Sequence, residues 1–343
     1  MAMLSIWGII LVVMGHSGFT SSIIAEPLRH LHIWIYSFHM PLFFFISGYL
    51  YSLTNKNFDR IEPRTFMKKK WDRLMVPYLV LGVIVFAIKY IFSGLSSVER
   101  TFSVESFLYM FVTPTDENST MGFLWYLITL FLIFIVVTGL RLTGLNLKRM
   151  PGAIICLVTS WVLFYILPQI EIFNLTGILW NLPFFIGGIM TQTTILKPRR
   201  TTESRTKYQM GGGIQLIVSL LLFFIGGIFC FSIIGLPSII SRIVAALAGI
   251  TASAFLCQAL INKKWIDKKI LPFATDTYTI YLLSWFGQYP VQIACLNILH
   301  LNWIASFLLI FIAGLILPII VHRLIQRNPC LHSYKLLRLS IGY

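Results

Sequence analysis

Ten long apolar stretches, separated by short polar connections, dominate the chain. Their approximate limits are Met3–Ser21, Ile33–Leu53, Leu74–Ser93, Gly122–Leu140, Gly152–Leu167, Ile172–Thr191, Gly211–Ile233, Pro237–Leu260, Ile270–Ile298 and Trp303–Ile325. Most run for about 18 residues or more without alternating polar positions, which suits membrane-spanning helices and not the short alternating strands of a barrel. The fold class expected is an all-α integral membrane protein, a bundle of about ten transmembrane helices. The first stretch begins close to Met1 and lacks a charged leader or a convincing cleavage site. It reads as a retained span and not as a signal peptide. No repeat, low-complexity run or separate soluble domain is apparent. Residues 1–326 therefore read as one polytopic membrane domain and 327–343 as a short cytoplasmic tail.

Composition closes off the alternatives. Of 343 residues, 57% are hydrophobic and only 11% charged, against about 25% charged in an ordinary soluble domain. A water-soluble globular protein and a disordered chain are both excluded. Cysteines are few (Cys156, Cys230, Cys257, Cys295, Cys330), with no C-x-x-C spacing, so neither a metal site nor a disulfide framework is expected. Asn118-Ser119-Thr120 and Asn174-Leu175-Thr176 match a glycosylation pattern that is common by chance and carries no weight.

The net charge of +15 would point to nucleic acid in a soluble protein. In a membrane protein its distribution matters more, and no nucleic-acid partner is expected. Segments 54–73, 141–151, 192–210 and 261–269, with the tail from Arg323, hold 23 of the 27 Lys and Arg residues. The opposite loops hold only Arg29 and Arg100, while Lys89 and Arg242 lie inside spans near that side. This alternation puts both termini in the cytoplasm of a multi-pass plasma (inner) membrane protein. It also requires Gly152–Leu167, short and flanked by Pro151 and Pro168, to cross.

Ionisable groups at membrane depth are costly and mark function by default. His16 lies about 12 residues, or ~18 Å, above the start of its span. His39 lies about six residues, or ~9 Å, below the outer start of the next span. Two histidines at matching depth on consecutive spans can share one cavity, although each can equally be a satisfied polar residue in a helix contact. Pro41, two residues after His39, frees the carbonyl of Ser37 within the membrane. At the inner mouth of the third span, Lys68, Lys69, Lys70 and Arg73 read either as a topology anchor attracted to anionic lipid or as a site for a phosphorylated cytosolic ligand.

These segments resemble acyltransferase family 3, integral-membrane enzymes that acylate hydroxyls on extracytoplasmic glycans. Gly8 to Ser17 is similar to the family's first span with its terminal catalytic histidine. Ser37-Phe38-His39-Met40-Pro41-Leu42-Phe43-Phe44-Phe45-Ile46-Ser47-Gly48-Tyr49 resembles the second span most specifically. Lys70-x-x-Arg73 with Val76-Pro77-Tyr78 resembles the start of the third, and Gly122-Phe123-Leu124-Trp125-Tyr126-Leu127 a later motif. Weaker echoes are Leu182 to Gly188 and Tyr278 to Leu283. The fucose 4-O-acetylase-like branch is the nearest in pattern. Two positions depart from it: Ser5 stands where a basic residue is frequent, and Ser284 where a histidine is.

The resemblance implies a transferase moving an acyl group from cytosolic acetyl-CoA, or another acyl-CoA, to a hydroxyl of a cell-surface or lipid-linked glycan. His16 would be general base or transient acyl carrier. His39 would orient the acceptor or the developing oxyanion. The phosphates of the donor would meet Lys68, Lys69, Lys70 and Arg73. Trp125 and Tyr126 would stack on a sugar face or anchor the interface, and Arg242 would bind an anionic acceptor or snorkel to headgroups. No bound cofactor is implied; the partners are membrane lipid, acyl-CoA and the glycan, and the oligomeric state is left open. A polysaccharide transporter or flippase is the competing class, although no inverted repeat supports it.

Overall fold

The computed structural model describes residues 1–17, 26–54, 62–91, 104–115, 122–194, 211–231, 238–261 and 263–328. Among them every regular element is helical: α1 (Ala2–Gly15), α2 (Glu26–Thr54), α3 (Pro63–Lys70), α4 (Val76–Ile91), α5 (Val104–Val112), α6 (Trp125–Leu142), α7 (Met150–Ile166), α8 (Leu175–Thr194), α9 (Gly212–Cys230), α10 (Ser238–Leu260), α11 (Lys264–Lys269), α12 (Thr277–Ile293) and α13 (Trp303–Arg327). A π-helical turn, Trp71–Met75, joins α3 to α4 in one continuous rod. Counting that rod once, ten long helices match the ten apolar segments, and seven are long and apolar enough to cross a membrane. This is a multi-pass membrane protein.

Helices are forced here because a lipid-facing backbone must satisfy its own polar groups. Where proline breaks that rule, a neighbour responds. Pro183 lies inside α8 and removes the N–H that would have met the Leu179 carbonyl; the Ser160 hydroxyl of α7 donates to that carbonyl at 2.9 Å. Helices α6 and α8 form the interior, with 56% and 61% of their apolar windows buried, whereas α9 and α13 face lipid, with 17% and 22%. The backbones of α2 and α8 touch: a Cβ on Gly48 would lie 1.8 Å from the Phe185 carbonyl oxygen, and one on Gly188 would lie 2.0 Å from that of Phe45.

Four limits differ from those expected, the first being that α1 ends at Gly15 and not at Ser21. Helix α2 starts at Glu26 and not at Ile33, because a helix continues past the hydrocarbon edge into polar residues such as Arg29 and His30. The third rod starts at Pro63 and not Leu74 for the same reason. Segment 270–298 is not one helix: a 3-10 turn, Leu271–Thr275, precedes α12, and a π-helical turn, Ala294–Ile298, follows it. Asp276 sits at the N-cap of α12, buried, where it accepts from His322 Nδ1 of α13 and has Arg323 Nη2 at 3.8 Å. The basic segment 192–210, apart from its first three residues, lies outside the described residues, as do Lys56, Arg60, Arg100 and the tail after residue 328.

Candidate active site

The 14 residues of α1 end at Gly15, leaving His16 as the cap. A helix that stops within the membrane exposes its last carbonyls, a situation tolerated only where protein or a water-filled cavity meets them. Gln288 of α12 does this here. Its Nε2 donates to the Val13 carbonyl (2.9 Å) and to Ser17 Oγ (3.0 Å), while Ser17 itself donates back to Val13 (2.6 Å). The end of α1 is thereby braced, with the His16 side chain turned into a cavity of about 680 Å³.

His39 lines the same cavity and is 1% exposed. Its Nδ1 donates to the Ile35 carbonyl at 2.9 Å, and a carbonyl can only accept. In the neutral ring the remaining nitrogen, Nε2, is therefore unprotonated. Tyr36 stands between the two histidines, its ring 5.9 Å from that of His16 and 4.6 Å from that of His39. The Tyr36 hydroxyl is 3.2 Å from His16 Nδ1 and 3.5 Å from Nε2. His32 stacks on Tyr36 at 3.9 Å and donates from Nδ1 to the Gly15 carbonyl at 3.2 Å.

Sequence reasoning missed Tyr36 and His32. The available signal was their spacing with His39, i, i+4 and i+7 on one helix face; it was cut because the expected span began at Ile33, one residue past His32. The departure at Ser284 falls at the site as well. Ser284 lines, with Gln288, a smaller cavity of about 180 Å³ that shares His16 with the larger one.

Trp125 and Arg242 also line the larger cavity, so four of the expected site residues meet there: His16, His39, Trp125 and Arg242. Tyr126 does not. Its ring packs on Phe44 at 4.8 Å and Tyr281 at 5.6 Å, and Ser47 Oγ lies 2.7 Å from its hydroxyl, so it belongs to the interior. Successive residues on a helix point about 100° apart, which is why only one of the adjacent pair faces the cavity.

The four basic residues of the third rod divide. Lys68 and Lys69 are exposed. Lys70 Nζ lies 4.3 Å from the centre of the Phe134 ring and 5.2 Å from that of Phe66, and the Arg73 guanidinium lies 5.5 Å from that of Tyr278. Two cations therefore lie over aromatic rings, Lys70 half-buried and Arg73 exposed, and two project outward. Tyr278 and Tyr281 share a face of α12; the first carries Arg73 and the second lines the histidine cavity. One helix face thus runs from the basic end toward the histidines.

A short helix end bearing a histidine, a second buried histidine beside it and a basic mouth at the other end are the features that the sequence motifs had linked to acyl transfer. The family model described as an acyltransferase domain, that of acyltransferase family 3, matches residues 4–323. The chain belongs to acyltransferase family 3. No curated protein and no solved structure matches it. The family 3 match takes in both histidines, the π-helical turn and Arg242, and it carries the coarse activity with it: this is a membrane acyltransferase.

Proposed function

We propose that the protein moves an acyl group, acetyl in the first instance, from cytosolic acyl-CoA to a hydroxyl of a cell-surface or lipid-linked glycan. It works from the plasma (inner) membrane with both termini cytoplasmic, and within family 3 its nearest branch is the fucose 4-O-acetylase-like one. The observation that carries this reading is the fixed tautomer of His39 inside the cavity that also holds His16. A sugar hydroxyl is a poor nucleophile until its proton is removed during attack, and neutral imidazole suits that role near pH 7.

In the direct form, His39 Nε2 accepts a hydrogen bond from a sugar hydroxyl beside the reacting one and so orients the acceptor. Its N–H is spent on Ile35, which favours orientation of the acceptor over donation to an oxyanion. His16 takes the proton of the reacting hydroxyl as its oxygen attacks the thioester carbonyl. A C–O ester bond forms, the C–S bond breaks, and the CoA thiolate leaves and is protonated from His16. In the covalent form, a His16 nitrogen attacks the thioester and expels the CoA thiolate, and the sugar hydroxyl then takes the acyl group from the imidazole, its proton ending on the thiol. Lys70 and Arg73 meet the donor's phosphates at the opposite end, with Lys68 and Lys69 outside them. Trp125 contributes an aromatic wall to the acceptor cavity.

The test is acyl transfer by the purified protein in nanodiscs, given acetyl-CoA and surface glycan, with CoA release and ester formation followed together by mass spectrometry. Glycan from a strain lacking the protein identifies the acceptor. A strain that loses glycan export but not O-acylation would point to a transporter and end this reading.

A further inference from the structure

The cavity has a second polar wall that the transfer chemistry does not use. Arg242 lies near the start of α10, where a cation could extend to the lipid headgroups. In the structure the residue is exposed, but its guanidinium lies 4.5 Å from the centre of the Trp180 ring of α8 and 5.9 Å from that of Phe164 of α7, and the side chain lines the cavity. Among the described residues no carboxylate comes within ion-pair distance of it, although Glu171 lines the same cavity. A guanidinium held against aromatic rings is preorganised for a planar oxyanion.

Next to Trp180, Asn181 is only 2% exposed and lines the cavity. Its Nδ2 donates to the Gly177 carbonyl at 2.8 Å, but its Oδ1 has no partner. A buried acceptor left unmet costs about 1–3 kcal/mol, so such atoms call for an explanation. The backbone here is also strained in a way that serves the wall. Phe173 and Asn174 have φ of 52° and 51°, and the Asn174 amide is bonded to Thr129 Oγ1 at 2.7 Å. Gly177 leaves room for that amide, since a Cβ there would lie 2.3 Å from Asn174 Oδ1.

We propose that this wall is an acceptor subsite for an acidic sugar, a hydroxyl-bearing ring with a carboxylate. Arg242 holds the carboxylate and Asn181 Oδ1 accepts from a ring hydroxyl, leaving another hydroxyl to face His16 and His39. The proposal rests on reading this cavity as the acceptor site of the transferase.

The experiment is equilibrium binding of two fluorescent oligosaccharides, matched except that one ends in glucuronate and the other in glucose, to the protein in phosphatidylcholine nanodiscs. A charge-assisted contact of this kind is expected to give about tenfold tighter binding of the glucuronate probe. Arg242→Gln should reduce the preference to less than about twofold. Asn181→Leu, which changes no charge, should weaken both probes several-fold and leave their ratio intact. Thermal unfolding of each variant confirms that it is folded. Equal binding of the two probes, no binding of either, a preference that survives Arg242→Gln, or unchanged affinity in Asn181→Leu would overturn the subsite. Loss of the preference when phosphatidylglycerol is added would assign Arg242 to a lipid headgroup and overturn it too. A glucuronate preference without acyl transfer to the sugar would leave Arg242 as an acidic-sugar site and refute the reading of the cavity as an acceptor site.

Discussion

The Tyr278 hydroxyl donates to the main-chain carbonyl of Arg73, the acceptor that Pro77 would have met in an α-helical register had it carried an N–H. The ring of the same tyrosine lies under the Arg73 guanidinium. One side chain on α12 thus holds both the backbone and the charge of the π-helical turn. Tyr278→Phe keeps the ring and removes the donor. It should cost about 1 kcal/mol of stability and raise the apparent KM for acyl-CoA several-fold, with kcat little changed. Donor titration checks this, and an unaltered donor KM would remove the turn from the donor site.

Lys70 and Arg73 face aromatic rings whereas Lys68 and Lys69 face outward, so the two pairs should behave differently. Neutralising Lys70 and Arg73 together should weaken the use of acyl-CoA by about tenfold or more, since each charge-assisted phosphate contact contributes about 1.5–3 kcal/mol. Neutralising Lys68 and Lys69 should do much less. Protease accessibility must show the same orientation in both double variants. Equal effects would favour a lipid anchor over a donor site.

His16→Ala should abolish transfer while the protein inserts and accumulates as before. Activity within twofold of wild type would remove His16 from the chemistry. His39→Asn is more discriminating, because the asparagine amide can replace the Nδ1 donor to Ile35 but supplies no basic nitrogen in the place of Nε2. It should preserve stability and lower kcat by about 10–100-fold, the cost of one lost orienting hydrogen bond. A variant that unfolds instead would show that His39 acts through packing.

Gln288→Leu should remove the donor to both the Val13 carbonyl and Ser17 Oγ, leaving Ser17 alone on that carbonyl, and loosen the end of α1. The expected cost is about 1–3 kcal/mol in stability, with a fall in kcat larger than any change in donor KM, because His16 and not the basic mouth is displaced. Gln288→Glu keeps the length but not the donor, and should fail to rescue. Thermal unfolding and steady-state kinetics on the same preparations separate the two effects.

A cysteine placed at Ser204 should be labelled by membrane-impermeant maleimide only from the cytoplasmic side. Labelling from outside intact cells would reverse the topology inferred from the distribution of Lys and Arg.

The ten segments were legible because hydropathy reports the apolar length that a bilayer requires. Helix limits were not, because α2 and the third rod extend beyond that length into polar sequence. The histidine pair was legible because imidazole is costly in hydrocarbon, and both rings do line one cavity. The fate of Arg242 was not: whether a cation snorkels or lies on rings depends on Trp180 and Phe164, which reach it from two other helices. Likewise nothing in the pattern of residues announces that Asn181 keeps a bare acceptor, since that depends on what stands opposite it. The π-helical turn is a matter of backbone register and leaves no periodic trace at all.

Gly48 and Gly188 have a consequence for how such chains are to be interpreted across evolution. With two backbones in direct contact, even a methyl group at either glycine would push α2 and α8 apart. Selection at these positions therefore acts on the helix crossing, whatever happens in the cavity. A descendant that had traded its histidines for other residues would still need both glycines to assemble, and would go on looking like a transferase by its second-span motif. Inheritance of architecture and inheritance of activity are recorded in different letters of the same short stretch. Gly48 speaks for the first and, under the proposed mechanism, His39 for the second.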